Sequence, residues 1–407
     1  MFDWDYAAGR DDLLNLYQKG KDRQWDAARR IDWSREIDPD NPLGVQDQFI
    51  ALYGSSIWEK LTSREKGMVR RHMAAWQFSQ FLHGEQGALI CASKIVQTVP
   101  DISAKFYAGT QVMDEARHVE TYSRYLREKL DLGYPVNPHL AELLGQIIRD
   151  SRWDFTYLGM QILIEGLALG AFATIRDNCA EPTAREVNAY VMQDEARHVA
   201  FGRLALRAYY PQLSEAERRE REEFTVDACY LMRDRFVGTE IWRTLDFDPD
   251  ECIRYASESQ GMRLFRAALF MRIVPTLKDI GLWGKKVQDA FVDMGVIQFA
   301  SIDCGEAGLA DEAEADRLEK ELHAGAKTPG DRQLGEPGPG VRSASLLERR
   351  GFEPPVLFGP FAPRMEFENR PFSARPVPMN RVGEDFSVRF FGNNRVEISC
   401  DTSLSWI

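Results

Sequence analysis

Apolar residues recur at spacings of three and four through most of residues 46–300, which is the period of amphipathic helices. Four long helices are predicted there, over residues 64–98, 102–131, 139–178 and 183–209. The second ends where Gly133, Pro135 and Pro138 prevent continuation, and the fourth begins with Pro182 near its first turn. Shorter helices are predicted over residues 214–245, 250–275 and 283–299. The pattern therefore predicts an all-α domain.

The segments on either side of this domain differ in composition. Residues 1–45 are charged, contain tryptophans and end in DPDNPLG, which indicates a turn-rich N-terminal segment. Residues 301–345 combine an acidic stub, predicted to be helical over 308–323, with a Gly/Pro/Ser-rich stretch typical of a flexible linker. Residues 346–407 form a C-terminal extension without a clear period, in which FSVRFF and RVEISC are candidate strands.

Ionisable residues interrupt the apolar face of all four long helices. Glu165 lies in the third, where an isolated ionised carboxylate is very costly unless it is paired, protonated or bound to metal. The predicted inward row of the first helix is Ala75, Phe78, Leu82, Glu85, Leu89, Ala92 and Val96. That of the second is Ala104, Ala108, Gln111, Glu115, His118, Tyr122 and Tyr125. That of the fourth is Val187, Val191, Glu195, His198, Gly202, Ala205 and Tyr209.

The pentapeptide DEARH occurs twice, at residues 114–118 and 194–198, although the chain has only six histidines. In each copy the glutamate and the histidine are three positions apart, so both side chains lie on one helix face. A single buried glutamate, Glu85 or Glu165, lies 30 residues before the glutamate of each copy. The whole pattern recurs after 80 residues, which predicts a core built from two copies of one helix pair.

This pattern supplies the ligand types of a dinuclear metal site. Four carboxylates and two imidazoles suit a pair of iron or manganese ions inside a four-helix bundle. The alternative is a buried charge network without metal. The sequence predicts two iron ions, with manganese or a mixed Mn/Fe pair as further possibilities. The predicted ligands are Glu85, Glu115, His118, Glu165, Glu195 and His198.

The aspartates that open the two motifs are candidates for orienting the histidines. A metal-ligating histidine commonly gives its second N–H to a carboxylate. Across the bundle, Asp114 is predicted to hold His198. Asp194 is predicted to hold His118 in the same way. The motif arginines, Arg117 and Arg197, are predicted to balance the charge of these aspartates. The alternative is that the aspartates and arginines form ion pairs on the surface.

Composition narrows the class of protein. The net charge of −12 argues against nucleic acid as a partner, because phosphate binding requires a basic surface. The apolar stretch 157–175 carries Glu165 at its middle, which favours a buried core helix over membrane insertion. No secretory signal is recognised, and the six scattered cysteines lack CxxC spacing. These features predict a cytoplasmic protein with reduced thiols.

The four carboxylates and the paired DEARH motifs resemble the ferritin-like di-iron carboxylate superfamily. The resemblance covers residues 64–210 in its motifs and 46–300 as an architecture. The DExRH form is similar to that of di-iron oxygenases, including bacterial multicomponent monooxygenase hydroxylases and arylamine N-oxygenases. Acyl-carrier-protein desaturases usually show EExxH instead. The resemblance implies a ferritin-like four-helix bundle with additional helices and an irregular C-terminal extension.

The activity implied by the resemblance is that of a non-haem di-iron oxygenase or oxidase. Such an enzyme activates O2 at a carboxylate-bridged iron pair and oxidises a small organic substrate. It also needs an external electron donor, a reductase or a ferredoxin. The helices after residue 210 are candidates for covering the substrate pocket or for forming the face of a homodimer.

Some residues depart from individual groups of this superfamily. Arylamine N-oxygenases carry an extra histidine ligand where this chain has Val191, and monooxygenase hydroxylases usually carry a threonine where it has Leu169. Tyr122 lies where the small subunit of class I ribonucleotide reductase carries its radical tyrosine, so a tyrosyl radical generator is the alternative. That subunit usually has aspartate in place of Glu85. A ferroxidase or iron-storage protein is disfavoured by the length of the chain.

Overall fold

The computed structural model describes residues 3–4, 6, 9–324, 386–391 and 395–400. The chain divides into two compact units, Met1–Glu319 and Lys320–Ile407. Nearly all of the described residues of the first unit lie in helices or in short connections between them. The all-α prediction is therefore confirmed for the part that contains the proposed ligands.

The first unit contains a series of helices of very different lengths. The α-helices are α1 Asp11–Asp22, α2 Ala27–Arg30, α3 Ser56–Lys60, α4 Ser63–Thr98, α5 Ile102–Tyr125, α6 Pro138–Arg149, α7 Trp153–Thr156, α8 Glu165–Asn178, α9 Pro182–Tyr209, α10 Glu215–Asp234, α11 Thr239–Thr244, α12 Pro249–Glu258, α13 Gln260–Leu269, α14 Ile273–Asp279, α15 Lys285–Asp293 and α16 Cys304–Ala324. The 3-10 turns are Asp47–Phe49, Tyr210–Gln212, Arg235–Val237 and Ile297–Ser301. Two π-helical stretches are Leu126–Leu130 and Tyr157–Ile164.

Helices α4, α5, α8 and α9 form the bundle that carries the proposed ligands. Helix α4 begins with a capping box, in which Thr62 Oγ1 accepts from the Glu65 N–H while the Glu65 carboxylate accepts from the Thr62 N–H. Its bounds agree with the predicted 64–98. Helix α5 begins at the predicted residue and continues through the π-helical stretch as far as Leu130. Three of the four bundle helices, α4, α5 and α9, thus lie where the periodicity predicts them.

The prediction of one continuous helix over residues 139–178 is wrong, because the chain breaks between α6 and α7. Asp150 Oδ1 accepts from the backbone N–H of Arg152 at 2.8 Å, which offers the backbone an alternative to the helix. Lys94 Nζ donates to the carbonyls of Ile147 and Ile148 at 3.1 and 3.0 Å and thereby satisfies the end of α6. Helix α6 therefore ends at Arg149, and α7 begins at Trp153.

The later helices are also more divided than predicted. Residues 214–245 contain two helices, because Gly238 lies between them with φ of +66°, a conformation that favours glycine. Residues 250–275 contain α12, α13 and the start of α14. These shorter helices pack on the bundle: α13 contacts α8, and α14 contacts α9.

The N-terminal 45 residues contain two helices, α1 and α2, in addition to turns. Helix α1 lies against α5 and α9, the two helices that carry DEARH. The backbone N–H of Arg10 donates to Ser103 Oγ at 3.1 Å, and its guanidinium donates to the Leu204 carbonyl at 3.3 Å. This segment therefore belongs to the same compact unit as the bundle.

Among the described residues, one helix is long and apolar enough to cross a membrane, the continuous helical run Trp153–Asn178. Of its most apolar window, 83% is buried inside the protein. Glu165 lies within this helix and is itself buried. This burial agrees with the predicted core helix.

In the second unit, Phe386–Phe391 and Arg395–Cys400 form an antiparallel pair of strands, β1 and β2. Phe386 lies opposite Cys400 in the register. The two candidate strands of the sequence are therefore confirmed. The predicted flexible linker over residues 325–345 lies outside the described residues.

A chain that ends at Ala324 is expected to keep its fold and its metal content. All six proposed ligands and their described contacts lie in the first unit, so the truncation removes none of them. Metal analysis and thermal unfolding of the truncated and full-length proteins, purified in parallel, check this expectation. A soluble, folded truncation without metal would contradict it.

Candidate metal centre

All six predicted ligands lie in the interior of the bundle. The most exposed of them, Glu85, has only 6% of its surface accessible, and both histidines have none. Helix α4 contributes Glu85, and Glu165 begins α8 directly after the π-helical stretch Tyr157–Ile164. The two ExxH motifs come from α5 and α9. Four separate helices therefore bring these side chains to one place.

The ligands form two overlapping groups of four. In each group, one potential ligand atom from every member lies within 4.8 Å of those from the other three. Glu115 and Glu195 belong to both groups, which is the arrangement required of carboxylates that bridge two metal ions. The first group is Glu85, Glu115, His118 and Glu195, and the second is Glu115, Glu165, Glu195 and His198.

His118 faces the carboxylates with one ring nitrogen and an aspartate with the other. Its Nδ1 lies 3.3 Å from Glu85 Oε2 and 3.1 Å from Glu195 Oε1. Its Nε2 lies 3.0 Å from Asp194 Oδ2. Nδ1 is therefore the nitrogen that is placed to bind a metal, while Nε2–H is the donor to the aspartate.

His198 repeats this arrangement in the other half of the bundle. Its Nδ1 lies 3.1 Å from Glu115 Oε1 and 3.3 Å from Glu195 Oε2. Its Nε2 lies 3.3 Å from Asp114 Oδ2. The two cross-bundle contacts expected from the sequence, Asp194 with His118 and Asp114 with His198, are both present in the structure.

The electrostatics show the cost of gathering four carboxylates in the core. Burial, and then the charge of Glu195, raise the pKa of Glu85 and of Glu165 well above the ordinary value. Burial also acts to raise the pKa of Glu115, but the adjacent imidazoles outweigh it and hold that pKa well below its usual range. Two divalent cations would compensate these charges directly, because their four positive charges balance the four carboxylates.

The carboxylate oxygens of the cluster fit a metal pair. Glu115 Oε2, Glu165 Oε2 and Glu195 Oε1 are buried and have no hydrogen-bond donor. Such orphaned buried oxygens are rare in proteins unless an ion or a water satisfies them. Together with the imidazole Nδ1 atoms, they form the oxygen- and nitrogen-rich donor set that iron and manganese accept.

The motif arginines lie beside the two aspartates in a buried ionic network. Arg117 contacts both Asp114 and Asp194, the latter at 2.9 Å, and Arg197 contacts Asp194. Burial alone would raise the pKa of Asp194, but Arg197 and His118 hold it well below its usual range. Asp194 thus stays ionised while it accepts from the imidazole.

The sequence reasoning did not identify two members of this network, Gln24 and Trp25. Gln24 Nε2 donates to Asp114 Oδ1 at 2.7 Å, and its Oε1 accepts from Arg117 at 2.8 Å. The indole N–H of Trp25 donates to Asp194 Oδ2 at 2.8 Å. Both residues lie between α1 and α2, in a segment with no periodicity, so no local pattern indicated their role.

A pair of glutamines adjoins the second ligand group. Gln111 Nε2 donates to Glu115 Oε1 and to Glu165 Oε1, both at 3.0 Å, and its Oε1 accepts from Gln161 Nε2 at 3.3 Å. The 80-residue repeat makes Val191 the counterpart of Gln111, and valine cannot donate. The two halves of the centre therefore differ: among the described residues, the unshared glutamate of the second group, Glu165, accepts from a side-chain amide, and that of the first group, Glu85, does not.

Tyr122 is fully buried among aromatic rings one turn beyond His118. Its hydroxyl donates to Asn188 Oδ1 at 3.2 Å, so its partner is not one of the proposed ligands. Its ring centroid lies 5.5 Å from that of Phe81 and 6.1 Å from that of Phe172. Burial, followed by the charge of Glu85, raises the pKa of this phenol well above its ordinary value, so it remains protonated.

The predicted inward row of α4 needs a correction. Leu82, Leu89 and Val96 are only half-buried, because the face of α4 toward the bundle is rotated from the predicted row. Tyr209, at the end of the row in α9, is also only half-buried. The residues of α4 that are buried around Glu85 are Phe78, Phe81, Ala88, Cys91, Ala92 and Ile95.

Comparison with known proteins agrees with this geometry. Residues 8–281, more than half of the chain, match the profile of the family described as P-aminobenzoate N-oxygenase AurF. The chain belongs to this family. Val191, in place of the extra histidine expected for arylamine N-oxygenases, does not exclude it from the family. No curated protein matches the chain significantly.

Solved structures of R2-like ligand-binding oxidases show a more distant similarity. One is a variant with an anaerobically reconstituted Mn/Fe cofactor, at 20% identity, with 69% of this chain and 96% of that chain covered and a TM-score of 0.42. Another is an oxidase with an aerobically reconstituted metal cofactor after photoconversion, at 18% identity, with the same coverage and a TM-score of 0.44.

The family and the buried ligand cluster together establish the general activity. The protein is an O2-dependent di-iron oxidoreductase of the ferritin-like superfamily, and it acts on an organic substrate. The alternative of a ribonucleotide-reductase-like radical generator is not favoured, because the family match is to an oxygenase. Iron storage is not favoured for the same reason.

Proposed function

We propose that Glu85, Glu115, His118, Glu165, Glu195 and His198 hold the two iron ions, with Glu115 and Glu195 shared between them. The observation that carries this assignment is the overlap of the two ligand groups at these two glutamates. Each ion would then have one unshared glutamate and one histidine of its own. Bound there, the iron pair would supply the reduction of O2 and the oxidation of the substrate.

The surrounding residues orient this ligand set. Asp114 and Asp194 accept from the histidine Nε2 atoms, which fixes each ring with Nδ1 toward the carboxylates. Arg117 and Arg197 keep Asp194 ionised. Gln111 donates to two of the glutamates, which restrains their rotation on one side of the cluster.

The substrate that we propose is a small aromatic amine, oxidised at nitrogen. The family's description as a P-aminobenzoate N-oxygenase supports this choice. Phe81, Tyr122 and Phe172 support it as well, because they form an aromatic cluster one turn from the ligands Glu85 and His118. Transfer of one oxygen atom to the amine and reduction of the other to water consume two further electrons. An external reductase or ferredoxin would supply these.

Metal analysis combined with a single-turnover reaction tests the proposal. The protein is expected to contain about two iron ions per chain and, once reduced, to consume O2 and add oxygen to the nitrogen of p-aminobenzoate. Mass spectrometry with ¹⁸O2 follows the label into the product. One zinc per chain would overturn the site. An iron pair that consumes O2 and oxidises only substrates without an amine would overturn the substrate class.

Replacing Tyr122 by phenylalanine is expected to leave the reaction in place. The change removes a hydroxyl whose partner is Asn188, a hydrogen bond worth roughly 1 kcal/mol. Substrate oxidation should survive, slowed at most several-fold, and electron paramagnetic resonance of the wild type should show no stable tyrosyl radical. A persistent radical that the substitution abolishes would point to the radical generator instead.

A further inference from the structure

Among the residues that the structure describes, all buried arginines but one have a carboxylate partner or several carbonyl acceptors. A guanidinium carries a full charge at any physiological pH, so its burial requires an anion or several hydrogen-bond acceptors. Among the described residues, five arginines are buried. They are Arg117, Arg197, Arg221, Arg235 and Arg266.

Four of the five are compensated in an ordinary way. Arg117 and Arg197 bind the aspartates of the metal centre, as described above. Arg221 pairs with buried Asp154 at 3.0 Å. Arg266 donates to the carbonyls of Ala256 and Ser257, near the end of α12, where the helix dipole favours a cation.

Arg235, in the 3-10 turn that follows α10, has no such partner. Only 8% of the residue is exposed, and no described residue forms a hydrogen bond or an ion pair with its guanidinium. Its Nε is buried without a partner, as are the Nε atoms of Arg117 and Arg197, but those two arginines have carboxylate partners. The one favourable contact is with its neighbour in sequence, since Arg235 Cζ lies 4.7 Å from the centroid of the Phe236 ring. Burial lowers the pKa of Arg235 to about 10, so the side chain is still a cation at neutral pH.

Three carboxylates of the adjoining segments form hydrogen bonds with groups other than Arg235. Asp234 is bound by Arg233, with distances of 2.6 and 3.1 Å to its two oxygens. Glu240 accepts from Trp76 and from Asn137, at 3.0 and 2.8 Å. Asp248 accepts from the first backbone N–H groups of α12. The charge of Arg235 therefore has no counter-ion among the described residues.

We propose that Arg235 is the anchor of a binding site for a small carboxylate. A single unpaired guanidinium matches a monoanion in charge, and its planar fork matches the two oxygens of a carboxylate. A phosphate dianion would leave one negative charge uncompensated in a buried place. This site is independent of the iron assignment, because Arg235 contacts none of the proposed ligands among the described residues.

Titration of the full-length protein with sodium benzoate and sodium acetate tests the site, with sodium chloride at matched ionic strength as the control. We expect saturable binding by calorimetry and a rise in the unfolding temperature with at least one carboxylate but not with chloride. In Arg235→Met, carboxylate binding should weaken about tenfold or more. Arg235→Lys keeps the charge without the fork and should bind with intermediate affinity.

The matched variant Arg221→Met separates a ligand anchor from a structural arginine. Without added carboxylate, Arg235→Met should unfold at the wild-type temperature or above it, because an uncompensated buried charge is removed. Arg221→Met should unfold at a lower temperature, because Asp154 loses its partner. The site would be refuted by carboxylate binding that is equal in wild type and Arg235→Met, by the absence of carboxylate binding in the wild type, or by binding of inorganic phosphate alone.

Discussion

Alanine at position 115 is expected to remove both metal ions, not one. Glu115 is a member of both ligand groups, so its loss takes a carboxylate from each ion at once. The metal content should fall from about two ions per chain to nearly none after gel filtration in metal-free buffer. The affinity of each metal site depends on the number of its ligands. The three ligands that remain at each position should therefore bind a metal ion weakly, and the ion should exchange with the buffer.

The matched variant is Glu165→Ala, which affects only the second group. It should retain more metal than Glu115→Ala, with up to one ion per chain. Circular dichroism of each variant checks that the helical content is unchanged. Undiminished metal in Glu115→Ala, or the same loss in both variants, would contradict the proposed sharing of Glu115.

Asp194→Ala is expected to destabilise the protein strongly. The side chain accepts from Trp25 and His118 and pairs with two arginines, all in the interior. Removing one partner of a buried ionic network leaves the other charges uncompensated, which costs about 3 to 5 kcal/mol. Urea unfolding of the metal-free protein measures this loss without a contribution from metal binding.

An exposed ion pair provides the control for that measurement. Asp289 pairs with Lys285 on the surface of α15, and exposed pairs contribute little to stability. Asp289→Ala should therefore unfold at nearly the wild-type urea concentration. Equal effects of the two substitutions would show that the network around Asp194 is not a source of stability.

The sequence by itself predicted the buried glutamates and histidines that the bundle brings together, and the bounds of three of the four helices that carry them. Both depend on local spacing: a helical period brings residues three apart to one face, and the 80-residue repeat relates Glu85 to Glu165. Ionisable residues that are buried in an apolar row require a partner for their charge. Four carboxylates and two imidazoles are ligand types that suit a pair of metal ions. The cross-bundle contacts of Asp114 and Asp194 followed from the same symmetry.

Only the tertiary structure decided what surrounds this centre. Gln24 and Trp25 reach the aspartates from about 90 and 170 residues away in the chain. The breaks after α6 and α10 depend on local competition for backbone groups and on a left-handed glycine, which a hydrophobic period does not record. The burial of Arg235 has no signal in the sequence, because the sequence does not show which acceptors folding leaves within its reach. Periodicity shows which face of a helix is buried, whereas the partners on that face depend on packing between distant segments.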